Sequence, residues 1–69
     1  MNKIQRFRLN LAKARHKKAI SAYELSLWIG KDKTYINKVE NGECKPSLQV
    51  IFDIIEALDI DSNELFNLK

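Results

Sequence analysis

Between Asp32 and Asn41 the chain reads DKTYINKVEN, and the side chains with chemistry to offer are not scattered. Placed at 100° per residue, Lys33, Thr34, Asn37, Lys38 and Asn41 fall within one arc, while Asp32, Ile36, Val39 and Glu40 fall on the other side. Two cations, a hydroxyl and two side-chain amides on one strip are the groups that read base edges in duplex DNA. Lys donates to guanine O6 and N7, Asn pairs with adenine N6 and N7, and Thr meets a thymine methyl or a phosphate. A solvated helix face uses the same residue types, and this stretch alone does not separate the two readings. Either way the spacing predicts a third helix, capped by Asp32 and running to about Asn41, that is held from behind by little more than Ile36 and Val39.

The flanking segments must supply the platform. Ile4, Phe7, Leu11 and Ala14 recur at helical spacing, with Lys3, Arg6, Lys13 and Lys17 along another line of the wheel, which predicts a first helix over residues 3–17 with a basic stripe. Ser21 followed by Glu24, with Ile20 before and Leu25 after, is a capping box with a hydrophobic staple, so a second helix starts at Ser21 and stops at Gly30. Asn41-Gly42 and Pro46-Ser47 bracket a loop. In residues 47–58 apolar positions cover most of the circumference and leave Gln49, Asp53 and Glu56 as a polar strip, which marks a central core helix. Asp61 and Glu64, flanked by Ile60 and Leu65, repeat the capping box and open a short fifth helix ending near Leu68. No segment reads as a strand, and only two Gly and one Pro occur, so the expected fold is all-α: one five-helix domain spanning residues 1–69.

Composition narrows the function. The net charge of +3 divides unevenly: residues 1–45 carry eleven Lys/Arg against four Asp/Glu, a net +7, and residues 46–69 carry one Lys against five acids, a net −4. One side is thus suited to a polyanion and the other is not. No apolar run is longer than that of Val50-Ile51-Phe52, and no signal-peptide core follows the N-terminus, so a soluble, cytoplasmic protein without a membrane partner is expected. A single Cys, Cys44, excludes an intrachain disulfide, and one His with one Cys cannot assemble a metal site. With no nucleophile–base pair and no phosphate-binding glycine loop, neither an enzyme nor a cofactor is expected.

A short helix, a turn containing Gly30 and a second helix backed by Ile36 and Val39 form a helix-turn-helix arrangement, with Ser26 and Gly30 small enough to let the helices approach. Over Ile20–Phe66 the run ENG, then PS, a central apolar helix and ELF resembles the Cro/repressor-type (XRE-like) helix-turn-helix family of bacterial and phage regulators. The resemblance implies a five-helix DNA-binding domain and a sequence-specific regulator of transcription acting as a repressor. Tyr35, on the flank between core and outer arc, offers its hydroxyl to a phosphate, and Ser21 offers another phosphate contact at the start of the second helix. The resemblance assigns base reading to Lys33, Thr34, Asn37 and Lys38, and phosphate contact to Asn41 and the loop that follows, where Lys45 is the available cation. It also implies a structural ion pair between Arg15 and Glu40. Three positions depart from the family's pattern: Ala22 stands where a Gln usually anchors the backbone, and Ala19 and Asp59 stand where Gly is usual.

Leu27 and Trp28 replace residues that are usually polar in similar proteins. Trp28 either lies on Phe7 or other parts of the first helix and extends the core, or forms an exposed patch for a partner or a second subunit. His16, near the end of the first helix, complements its dipole. The apolar surplus of the central helix (Val50, Ile54, Ala57), with Leu65, Phe66 and Leu68, is either core or a homodimer surface. Dimerisation would let two recognition helices read half-sites one helical turn apart. The competing function is a protein-interaction module of antitoxin or anti-repressor type that uses Trp28 or the C-terminal hydrophobics, with DNA binding secondary.

Overall fold

Asn2 starts the first helix with a capping box that the sequence reading did not anticipate: its side chain accepts from the Gln5 N–H at 2.8 Å, and the Gln5 side chain returns to the Asn2 N–H at 3.2 Å. The computed structural model describes residues 2–69 and consists of α1 (Lys3–Lys17), α2 (Ala22–Trp28), α3 (Tyr35–Glu40), α4 (Leu48–Leu58) and α5 (Asn63–Phe66), with no strand among the described residues. α1 and α4 stand where their apolar periodicity puts them. Among the described residues, no helix is long and apolar enough to cross a membrane.

α1 packs mainly on α5, and α2 mainly on α3. Leu11, Leu25, Ile36, Ile54, Leu58 and Leu65 are fully buried where the five helices meet. Val50 and Ile54 belong to this core and Ala57 packs against it, so they are not a surplus. The exposed apolar residues of α4 are instead Leu48 and Phe52. In α5, Leu65 is core and Phe66 is exposed on one side, its ring 5.8 Å from that of Phe7. Asn10 ties the C-terminal segment to α1 by donating to the carbonyls of Leu65 and Asn67.

One expected helix start differs here. At α5 the capping box does not close: Asp61 accepts from the Asn63 N–H, but the Glu64 carboxylate lies 3.5 Å from Lys17 Nζ on α1, and the helix ends at Phe66. Trp28 is neither on Phe7 nor in the core; it is 55% exposed, beside Asp53, Glu56 and Ala57 of α4. Ile4, although on the apolar line of α1, is exposed as well.

Ala19 and Asp59, the two positions where similar proteins carry Gly, have φ of 57° and 52°. Both follow a helix and turn the chain through the left-handed region, where a Cβ crowds the following carbonyl. Ala19→Gly is expected to stabilise the fold by about 0.5–1 kcal/mol, after the greater freedom of Gly in the unfolded chain is set against the relieved strain. In a domain of this size that raises the calorimetric Tm by about 2–8 °C. Asp59→Gly should gain less, since Asp tolerates this backbone better. An Ala19→Gly variant melting at or below wild type would contradict the strain assignment.

Candidate nucleic-acid interface

α2 and α3 are joined by a hydrogen-bond lock as well as by packing. The Ser26 hydroxyl, fully buried, donates to the Ala22 carbonyl at 2.7 Å and accepts from the Ile36 N–H at 3.0 Å. The side chain on α2 thereby satisfies an N–H in the first turn of α3 that has no partner within its own helix. Ser26 was legible as a small residue; its bond to Ile36, ten residues on, was not. Gly30 has a different reason from close approach: nothing lies within 4 Å of where its Cβ would stand, but its φ is +76°. The turn needs the left-handed backbone.

A second tie holds both helices against α1. The Arg15 guanidinium meets the Glu40 carboxylate through two parallel bonds, Nε to Oε2 at 2.9 Å and Nη2 to Oε1 at 3.0 Å. Its Nη1 donates to the Ile20 carbonyl at 3.1 Å, just before α2. Both side chains are nearly buried, at 11% and 12% exposure. The planar fork thus fixes where α2 begins and where α3 ends relative to a single side chain. His16 is exposed in the last turn of α1, its Nε2 3.5 Å from Arg15 Nη2.

α3 is shorter than the wheel suggests. It begins at Tyr35, so Lys33 and Thr34 lie in the preceding turn. Asp32 does not cap the helix. Its carboxylate accepts from the Thr34 N–H and the Thr34 hydroxyl, both at 2.7 Å, and the Asp32 carbonyl accepts from the Tyr35 N–H. The Thr34 hydroxyl and amide, with lesser help from the charges of Lys38 and Lys33, hold the Asp32 carboxyl below its ordinary pKa, so the turn is clamped by an ionised side chain at neutral pH. The proton of the Thr34 hydroxyl is committed there, although the residue itself is exposed.

The arc itself survives this change. Ile36 and Val39 are buried, while Lys33, Thr34, Asn37, Lys38 and Asn41 are exposed. Among the described residues, the side chains of Lys33, Asn37, Lys38 and Asn41 bond to none of the protein's own groups, so each has its hydrogen-bonding capacity free. Asn41 closes α3, with its backbone N–H on the Asn37 carbonyl. Lys45 is exposed in the loop that follows.

Tyr35 sits at the flank, half-buried, with Lys31 Nζ 5.4 Å from its ring centroid. Burial first, and the neighbouring Cys44 second, push the Tyr35 phenol above its usual pKa. Ser21 is exposed at the start of α2. Its capping box closes as the spacing predicts, with Oγ accepting from the Glu24 N–H at 3.0 Å and the Glu24 carboxylate accepting from the Ser21 N–H at 3.1 Å. The Ser21 amide and then its hydroxyl hold the Glu24 carboxyl below its ordinary pKa. Ala22, in the position of the usual Gln, is buried and offers no polar group.

The candidate front thus comprises Ser21 at the head of α2, Lys33 and Thr34 in the turn, Asn37 and Lys38 on α3, and Asn41 and Lys45 beyond it, all exposed. The profile of the helix-turn-helix family matches residues 11–65, which include both ties and the whole front. Among solved structures, the restriction-modification controller protein C.AhdI from Aeromonas hydrophila is similar, with 35% sequence identity and a TM-score of 0.82, the alignment covering 91% of this chain and 96% of that one. No match was found among curated proteins. A fork-clamped pair of helices in an all-α frame, matched along most of its length by that family, makes the chain a member of the Cro/repressor-type helix-turn-helix family and a DNA-binding regulator of transcription.

Proposed function

We propose that the protein is a sequence-specific repressor that inserts α3 into the major groove of its operator. The observation that carries this reading is the uncommitted polar front of α3, backed by only two buried aliphatics. Asn37 and Lys38 read base edges from the helix, and Lys33 and Thr34 read them from the turn at its leading end, Thr34 through its methyl. Asn41 and Lys45 hold the phosphates at the trailing end, and Ser21 and Tyr35 those at the flanks; with Ala22 in place of Gln, the exposed Tyr23 shares that task with Ser21. A homodimer on DNA extends the few base pairs that one helix spans to two half-sites about 34 Å apart. The likeness to a restriction-modification controller makes the promoters of such a gene system the first operators to try.

Selection of bound duplexes from a random library tests the reading, with an inverted repeat expected. On the selected site, Lys33→Ala and Lys38→Ala are each expected to cost about 1–3 kcal/mol and to relax preference at the base contacted, while Lys45→Ala weakens all sequences alike. Were both kinds of variant to bind every duplex as wild type does, the base-reading assignment would be wrong.

The exposure of Trp28 favours a second, compatible reading, in which a protein partner docks on α2 and α4. A partner that survives nuclease treatment in a pull-down and is lost in Trp28→Ala would support it.

A further inference from the structure

One cation of the basic half is placed in a way that neither ion pairing nor simple solvation accounts for. Arg8, on the second turn of α1, reaches across to the loop after α3. Its guanidinium occupies the place where a Cβ of residue 42 would stand, a place open only because that residue is Gly42, which also needs its φ of +83° for the turn. Along this reach Arg8 Nε is buried and meets no acceptor among the described residues. Among the described residues no carboxylate is within ion-pair distance either: Glu40, which lines the same shallow concavity as Arg8 and Asn41, is already committed to Nε and Nη2 of Arg15. On its other side Arg8 shares a concavity with Lys45 and Cys44 of the loop.

A buried donor without an acceptor is costly, and more so on a charged group. Arg8 is therefore a planar cation held at the trailing end of α3, between Asn41 and Lys45, with donors unspent. We infer that Arg8 is a phosphate contact: it forms, with Asn41 and Lys45, a clamp on the DNA backbone where the strand leaves α3. This deepens the proposed function and rests on it. The chemistry recognised is a backbone phosphodiester, since a forked guanidinium flanked by an ammonium and an amide suits an anion with several oxygens, and Arg8 stands on α1, off the helix proposed to read bases.

The salt dependence of binding to a scrambled-sequence duplex, followed by fluorescence anisotropy, tests this. Each neutralised phosphate contributes about 0.9 to the slope of log affinity against log salt. Arg8→Gln should lower the magnitude of the slope by about that amount, to the same extent on the selected operator, and Arg8→Lys should largely restore it. As a measurement on the unaltered protein, bound duplex should protect Arg8 from phenylglyoxal, read by mass spectrometry. A folded Arg8→Gln variant with an unchanged slope, or an Arg8 that reacts equally with and without duplex, overturns the clamp, while the DNA reading stands if Lys45→Ala still lowers the slope. Wild-type protein with no salt-dependent duplex affinity would overturn the DNA reading itself.

Discussion

Arg15→Ala is expected to lower the free energy of unfolding by about 3–5 kcal/mol, because it strands the nearly buried Glu40 carboxylate and leaves the Ile20 carbonyl without its donor. Glu40→Ala should cost a similar amount by stranding the guanidinium, which then keeps only its bond to Ile20 and the long contact with His16. A chain of this length holds roughly 3–10 kcal/mol in all, so either variant should be largely unfolded at 37 °C or close to it. Urea unfolding followed by circular dichroism measures this. The double variant Arg15→Met with Glu40→Leu separates positioning from stabilisation. Removing both charges and keeping the volume leaves nothing stranded, and its stability should recover to within about 1–2 kcal/mol of wild type. What should not recover is duplex affinity, since the fork is what sets the end of α3 against the start of α2. A double variant that binds its operator as wild type does would reduce the pair to a dispensable charge couple. Single variants that cost under about 1 kcal/mol would mean that the pair is effectively solvated.

How well the sequence foretold each feature tracks how local its cause is. The Ser21–Glu24 box closes within four residues, and both its start and its partner could be read from spacing. The same pattern at Asp61–Glu64 fails because Glu64 is drawn to Lys17, on a helix brought beside it only by the fold. α1 and α4 are long enough for their apolar periodicity to mark them. α3 is not, and its start was misplaced because Asp32 can either cap a helix or close a turn on Thr34, and spacing permits both. The wheel foretold which residues share the outer arc, a property of the backbone alone. It could not foretell whether Trp28 would be covered, because that depends on a neighbour arriving, and none of the described residues does so fully. The Arg15–Glu40 pair and the left-handed backbone at Ala19 and Asp59 were reached only through the family resemblance, since pairing across twenty-five residues leaves no periodic trace. Arg8 was one of many basic residues until Gly42 was seen beneath it.

The shortness of α3 sets up the second large effect. Six residues are far fewer than the roughly 12–15 that give even a marginal isolated helix in water, so α3 exists because something outside it holds it. The holding groups are few: Ile36 and Val39 in the core, the Ser26 bond to the Ile36 N–H, and the Glu40 fork. Ile36 is at the centre of this set, fully buried and adjacent to the lock. Ile36→Ala is expected to cost about 2–5 kcal/mol, from lost transfer energy and the cavity left under the helix. Leu48→Ala, at a site 64% exposed, should cost under about 0.5 kcal/mol, which controls for the loss of apolar bulk as such. The loss at Ile36 should also be uneven. Amide protection in α3 should collapse further than in α1 or α4, because only Val39 and the half-buried Tyr35 then remain to anchor α3. Duplex affinity measured where the variant is still folded should then fall by more than the unfolded fraction explains, since a loosened α3 must be ordered again on binding. Hydrogen exchange that slackens equally in all helices, with affinity tracking only the folded fraction, would show that α3 is supported by the fold at large and not by the narrow apolar seam behind it.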